Sequence, residues 1–140
     1  MAIDKEVEDF TDAIGAYEPQ TGDEIYRTFR TIFKRRNYFF LEGNFIIGKI
    51  SRTNPAWWGV RKDIIEAFNK WPTLENYFLV LLINGNEGWV YSKNEINRNI
   101  DDGIWKCGKD QNYKIYPAVI KDRNSFISPN QFLKKIGVEK

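Results

Sequence analysis

Lys49, Arg52, Arg61 and Lys62 bracket two adjacent tryptophans, Trp57 and Trp58, in the stretch FIIGKISRTNPAWWGVRKDII at residues 45–65. Cations so placed can neutralise phosphates, and an exposed indole is a platform for a nucleic-acid base, each stacking contact contributing about 1–3 kcal/mol. Neighbouring residues on a helix diverge by about 100°, so both indoles cannot follow one stripe. Trp57 fits the apolar series Trp57, Val60, Ile64, Phe68 and Trp71, which leaves Trp58 as either a stacking platform or the cover of a second packing surface. Adding the basic end of an upstream helix, the candidate nucleic-acid-binding residues are Arg35, Arg36, Lys49, Arg52, Trp58, Arg61 and Lys62.

Catalysis has a narrower repertoire here, because the chain contains no histidine. Ser-His-Asp and Cys-His nucleophiles, Cys/His zinc and histidine general acids are excluded. Carboxylates, lysine, tyrosine or a carboxylate-bound Mg2+ remain. A (D/E)-x-K pair on a strand would place carboxylate and lysine on one face. Lys49 is the nearest approach, but Ile47 occupies the acid's position, and Glu24, Glu42 or Asp63 would have to supply a carboxylate from elsewhere. GNFIIGKI has the glycine and lysine spacing of a phosphate loop, yet Ile50 replaces the metal-binding hydroxyl and the interior reads as a strand. Cys107, the sole cysteine, reads as a small buried strand residue, and Asp101 and Asp102 as a turn before Gly103. No metal site is indicated.

At 140 residues with 42% apolar and 16% aromatic composition, the chain is long and apolar enough to bury one continuous core. Its longest uncharged apolar run, YFLVLLI at residues 77–83, is far shorter than a membrane span of about 20 residues. With no signal-peptide pattern, the expected location is the cytoplasm and no membrane partner is expected. The net charge of +2 conceals an asymmetry: residues 1–24 hold eight acids against one base, so the remaining chain carries a net of plus 9. A basic body of this kind suits a polyanion, unless the acidic segment lies across it.

The elements that would position these groups follow from periodicity. Val7, Phe10, Ile14 and Tyr17 predict a first helix over about 4–16 with acids on its outer face. Thr21 and Glu24 form a capping box opening a second helix that ends at Lys34, Arg35 and Arg36. NYFFLEG and NFIIGKIS predict a hairpin turning at Glu42, Gly43 and Asn44. Asn54 and Pro55 then resemble the start of a helix running to Trp71, with Gly59 weakening its first turn. YFLVLLIN predicts a central strand and WVYS its hairpin partner. Ser92 and Glu95 cap a short helix, IWKC and YKIY form a second hairpin, and Ser128 and Pro129 open a last helix closed by Gly137.

The expected fold is a single α+β domain, residues 1–140, in which an antiparallel or mixed sheet of about five to six strands is flanked by three to four helices. The order over residues 23–92 has a faint similarity to that of restriction-endonuclease-like families, whose (D/E)-x-K pattern fails here at Ile47. The similarity implies a divergent Mg2+-dependent nuclease with Lys49, Glu42 and Asp63 as candidate catalytic residues. The leading expectation is instead a nucleic-acid-binding protein of prokaryotic or phage origin, without a cofactor. A protein–protein interaction module is the third. In the binding reading the acidic helix is a possible internal competitor, whose deletion with residues 1–20 would tighten binding if it is displaceable.

Overall fold

A computed structural model describes residues 4–17, 38–42, 44–70 and 77–138. The second expected helix, with Glu24, Arg35 and Arg36, lies outside the described residues. Helix α1, Lys5–Ile14, is the amphipathic helix foreseen: Val7, Phe10 and Ile14 are fully buried, and Gly15 ends the helix with φ 79°. Strands β1, Tyr38–Leu41, and β2, Asn44–Ile50, form the expected antiparallel hairpin, with Glu42 at the turn in the left-handed region.

The region after β2 departs from expectation. The predicted helix from Pro55 is instead a turn with a cis Asn54–Pro55 peptide, a strand β3, Trp58–Arg61, and only then helix α2, Lys62–Lys70. Trp58 and Val60 alternate inward, with Gly59 and Arg61 outward, and β3 finds its partner in β7, Asn112–Ile115. A four-residue segment fits either periodicity, and pairing with a distant strand decides it.

Strand β4, Tyr77–Leu82, pairs parallel with β2 and antiparallel with β5, Gly88–Ser92. Its unbroken apolar run is explained by burial on both faces: Tyr77, Leu79 and Leu81 pack on one side, Val80 and Leu82 on the other. Helix α3, Lys93–Asp101, starts at the foreseen capping box, Ser92 Oγ accepting from Glu95 N and Glu95 Oε1 from Ser92 N. Next come β6, Lys106–Cys107, then β7, two 3-10 turns, Pro117–Val119 and Asp122–Asn124, and β8, Ser125–Phe126. Helix α4, Pro129–Lys135, follows Ser128 as its N-cap, and Gly137 adopts φ 81°.

The result is an α+β fold with a five-stranded mixed sheet, β1-β2-β4-β5-β8, and a three-stranded antiparallel sheet, β3-β7-β6. Helices α1 and α4 cover one face of the large sheet; the small sheet, α2 and α3 cover the other. Two close approaches fix α1. Gly48 on β2 leaves room for Val7, since a Cβ there would stand 3.1 Å from Cγ1, and Gly85 does the same for Asp9 at 3.2 Å. Among the described residues, no helix is long and apolar enough to cross a membrane.

Candidate functional site

Alternation along β2 places Lys49 after Phe45 and Ile47 on the face turned toward the small sheet. The chain then turns through residues 51–57, held by Trp57 N donating to Ser51 Oγ at 3.1 Å and Thr53 Oγ1 donating to the Pro55 carbonyl at 3.0 Å. This turn, the end of β2, the start of β3 and the loop at Asp110–Asn112 enclose a cleft of about 370 Å3. Asp4, Lys49, Arg52, Trp57 and Asn112 are among its walls.

The two tryptophans exchange the roles that helical spacing predicts for them. Trp58 is only 2% exposed, its Nε1 donates to the Leu82 carbonyl at 3.2 Å, and its ring meets Trp89 edge-on at 5.5 Å. Trp58 therefore cannot serve as a stacking platform. Trp57, 38% exposed, is the open indole. Gly59 makes space for it: a Cβ at that position would stand 3.3 Å from Cζ3 of the ring. Lys114, directly across from Gly59 on β7, brings its ammonium to 5.5 Å from the ring centroid, a cation–π distance.

The outward side of the small sheet is thus a basic surface around an indole. Directly opposed residues point to the same side. Gly59 faces Lys114, Arg61 faces Asn112, and Lys114 faces Lys106 on β6. Two lysines opposed across a sheet repel each other, a cost that an anion above them would relieve. Lys114 is tempered by Asp110 at 3.7 Å; Lys106 has no ion pair among the described residues. Asp110 is held below the usual carboxylate range by hydrogen bonding to Asn112, with Lys114 adding to the effect.

The structure brings Lys49 and Arg52 together at the cleft and leaves Arg61 and Lys62 outside it, while Arg35 and Arg36 fall outside the described residues. Arg52 is already engaged: its two Nη atoms each reach a different Glu6 carboxylate oxygen at 2.9 Å, and Nη2 reaches Asp4 at 3.3 Å. The Arg52 hydrogen bonds hold Glu6 below its ordinary range. Arg61 pairs with Asp63 at 2.6 Å and Lys62 with Glu66 at 3.9 Å; neither lines the cleft. Of the catalytic candidates, Glu42 lies at the hairpin end of β2, about 16 Å along the strand from Lys49 at the usual rise per residue, and Asp63 is held by Arg61. No three His, Cys, Asp or Glu residues gather as a metal site among the described residues.

Two further expectations change. Helix α1 cannot act as a detachable competitor, because Val7, Phe10 and Ile14 belong to the core; deleting residues 1–20 would remove packing along with charge. Cys107 is exposed instead of buried, being on the short outer strand β6. Trp57, Lys106 and Lys114 escaped the sequence reading as site residues, although alternation in YKIY, once β7 is paired with β3 and β6, aligns Lys114 with both Gly59 and Lys106. Compared with known proteins, the chain matches no family model, and no curated protein or solved structure shows significant similarity to it.

Proposed function

We propose that the chain binds nucleic acid through the outward side of the small sheet and the adjoining cleft. The observation that carries this reading is the Trp57 indole, exposed over Gly59 and bordered by Lys114, with Arg61 and Lys106 on the same side of the sheet. Cations and an open aromatic face together offer both phosphate contact and stacking. Arg61 must exchange Asp63 for a phosphate, and an exposed pair of this kind is cheaply exchanged.

The Mg2+ nuclease alternative has Asp4 and Asp110 in the cleft with Lys49, but Asp4 pairs with Arg52 and Asp110 with Lys114, and no three metal-ligating residues gather among the described residues. Nor does any observation single out an acidic protein partner. Fluorescence anisotropy at low salt, using mixed-sequence DNA and RNA in single- and double-stranded forms, tests the proposal. Among the described residues Arg61, Lys106 and Lys114 lie on the outward side of the small sheet, so phosphate contacts made there give a slope of log K against log salt of about 2 in magnitude for a single strand. Lys106→Glu combined with Lys114→Glu should abolish measurable binding. Absence of binding to every nucleic acid, or unaltered binding by the double variant, refutes the proposal.

A further inference from the structure

We infer that the ligand is single-stranded nucleic acid, with one unpaired nucleotide entering the cleft and its base stacking on Trp57. This inference rests on the nucleic-acid reading and names its substrate class.

A paired base in a duplex has both faces covered by its neighbours and presents only its edges to a groove. The indole face can therefore contribute only if a base has left the stack. Shape agrees with this requirement. Duplex readers insert a helix or a two-stranded ribbon into a major groove about 12 Å wide. Here the indole is part of a concave wall, in a cleft of about 370 Å3. That volume lies in the range of about 300–1,000 Å3 that suits a small molecule, which is the scale of one nucleotide.

The distribution of charge divides the site between phosphate and base. Lys114 adjoins the indole and Lys106 lies on the neighbouring strand, marking a path for a backbone along the sheet. Asp4 and Asp110 also border the cleft. Those carboxylates oppose phosphate there, and as acceptors they suit the exocyclic amino groups of adenine, cytosine or guanine. Gly59 completes the platform, carrying no side chain that would lift the ring.

The test is a comparison of one labelled 12-mer as a single strand and as a blunt duplex, at one low salt concentration, with wild type and Trp57→Ala. The single strand should bind at least fivefold more tightly than the duplex. Trp57→Ala should weaken single-strand binding by about tenfold, from the contribution expected of one base–aromatic stack, while duplex affinity changes by less than twofold. Trp57→Phe should recover most of the loss. Circular dichroism establishes that the variants are folded, and Gly59→Val, which presses on the ring without deleting it, supplies an independent variant with the same expected loss. A single-strand preference below fivefold, or single-strand affinity indifferent to Trp57→Ala, overturns the inference even if nucleic acid binds. Failure of both strand forms to bind overturns the functional proposal on which it stands.

Discussion

Replacing Trp58 by alanine, and separately Trp57 by alanine, should divide stability from binding between adjacent residues. Trp58 sits between the two sheets at 2% exposure, contacts Trp89 edge-on and donates to the Leu82 carbonyl. Truncating a buried tryptophan costs about 3–5 kcal/mol, because the lost transfer free energy adds to that of the cavity left behind. Leu82 lies on the central strand, so its carbonyl also loses a donor. Against a total stability of about 5–15 kcal/mol, this is a large fraction, and the midpoint of thermal unfolding should fall by roughly 10–15 °C. Trp57→Ala instead removes a half-exposed ring and one cation–π contact, at a cost of about 1 kcal/mol. Urea unfolding followed by far-UV circular dichroism measures both without relying on tryptophan emission. A Trp57→Ala cost equal to or above that of Trp58→Ala would falsify the strand alternation on which the proposed interface depends.

Asp4→Asn combined with Glu6→Gln removes both carboxylate charges facing Arg52 while keeping side-chain size, so the guanidinium should add one phosphate contact. The salt slope for single-strand binding should then steepen by about 0.7, and an unchanged slope would show that Arg52 does not exchange partners. Burial pushes the Tyr91 hydroxyl up to about 12 and raises Tyr77 further above its ordinary value of 10.0. Both are therefore protonated in the fold where the unfolded chain has begun to ionise: stability is undiminished below pH 10 and falls as pH rises from there toward the folded values. The limiting slope is about 1.4 kcal/mol per pH unit for each tyrosine, and Tyr91→Phe should reduce it in urea titrations between pH 9 and 11. Gly88→Ala would bring a Cβ within the space of the Leu81 carbonyl, at 2.0 Å before any adjustment. Displacement of the β4–β5 pair should cost about 3 kcal/mol or more, and a loss below 1 kcal/mol in the same unfolding assay would contradict that packing.

Local signals proved sufficient where one segment determines its own conformation. The Ser92–Glu95 capping box, Ser128–Pro129 with Gly137, the stripe of α1 and the doubly buried β4 were all readable because their partners are nearby or their patterns are long. Residues 55–61 were not. Trp57, Val60 and Ile64 satisfy a helical spacing, but Trp58 and Val60 also satisfy alternation, and the pairing of β3 with β7 selected the latter. That change exchanges inner and outer tryptophans, so an error of secondary structure became an error of site. The charges suffered a related fate. Sequence shows that Arg52 is basic, not that Glu6, 46 positions away, already holds it. Lys106 and Lys114 gained meaning only from a cross-strand register.

The asymmetry between acidic amino terminus and basic body resolves into layers. Helix α1 packs beside α4 on one face of the large sheet, while the small sheet occupies the opposite face. The large sheet therefore stands between most of α1 and the small sheet, and the amino-terminal end of α1 reaches the cleft, where Asp4 is part of the wall. Neutralisation reaches across the boundary chiefly at Arg52, through Glu6 and Asp4. Hence the acidic helix does not blanket the basic body. It stabilises the fold through Val7, Phe10 and Ile14, occupies one cation at the edge of the cleft, and leaves Arg61, Lys106 and Lys114 around Trp57 as the surface on which a polyanion would meet positive charge and aromatic area together.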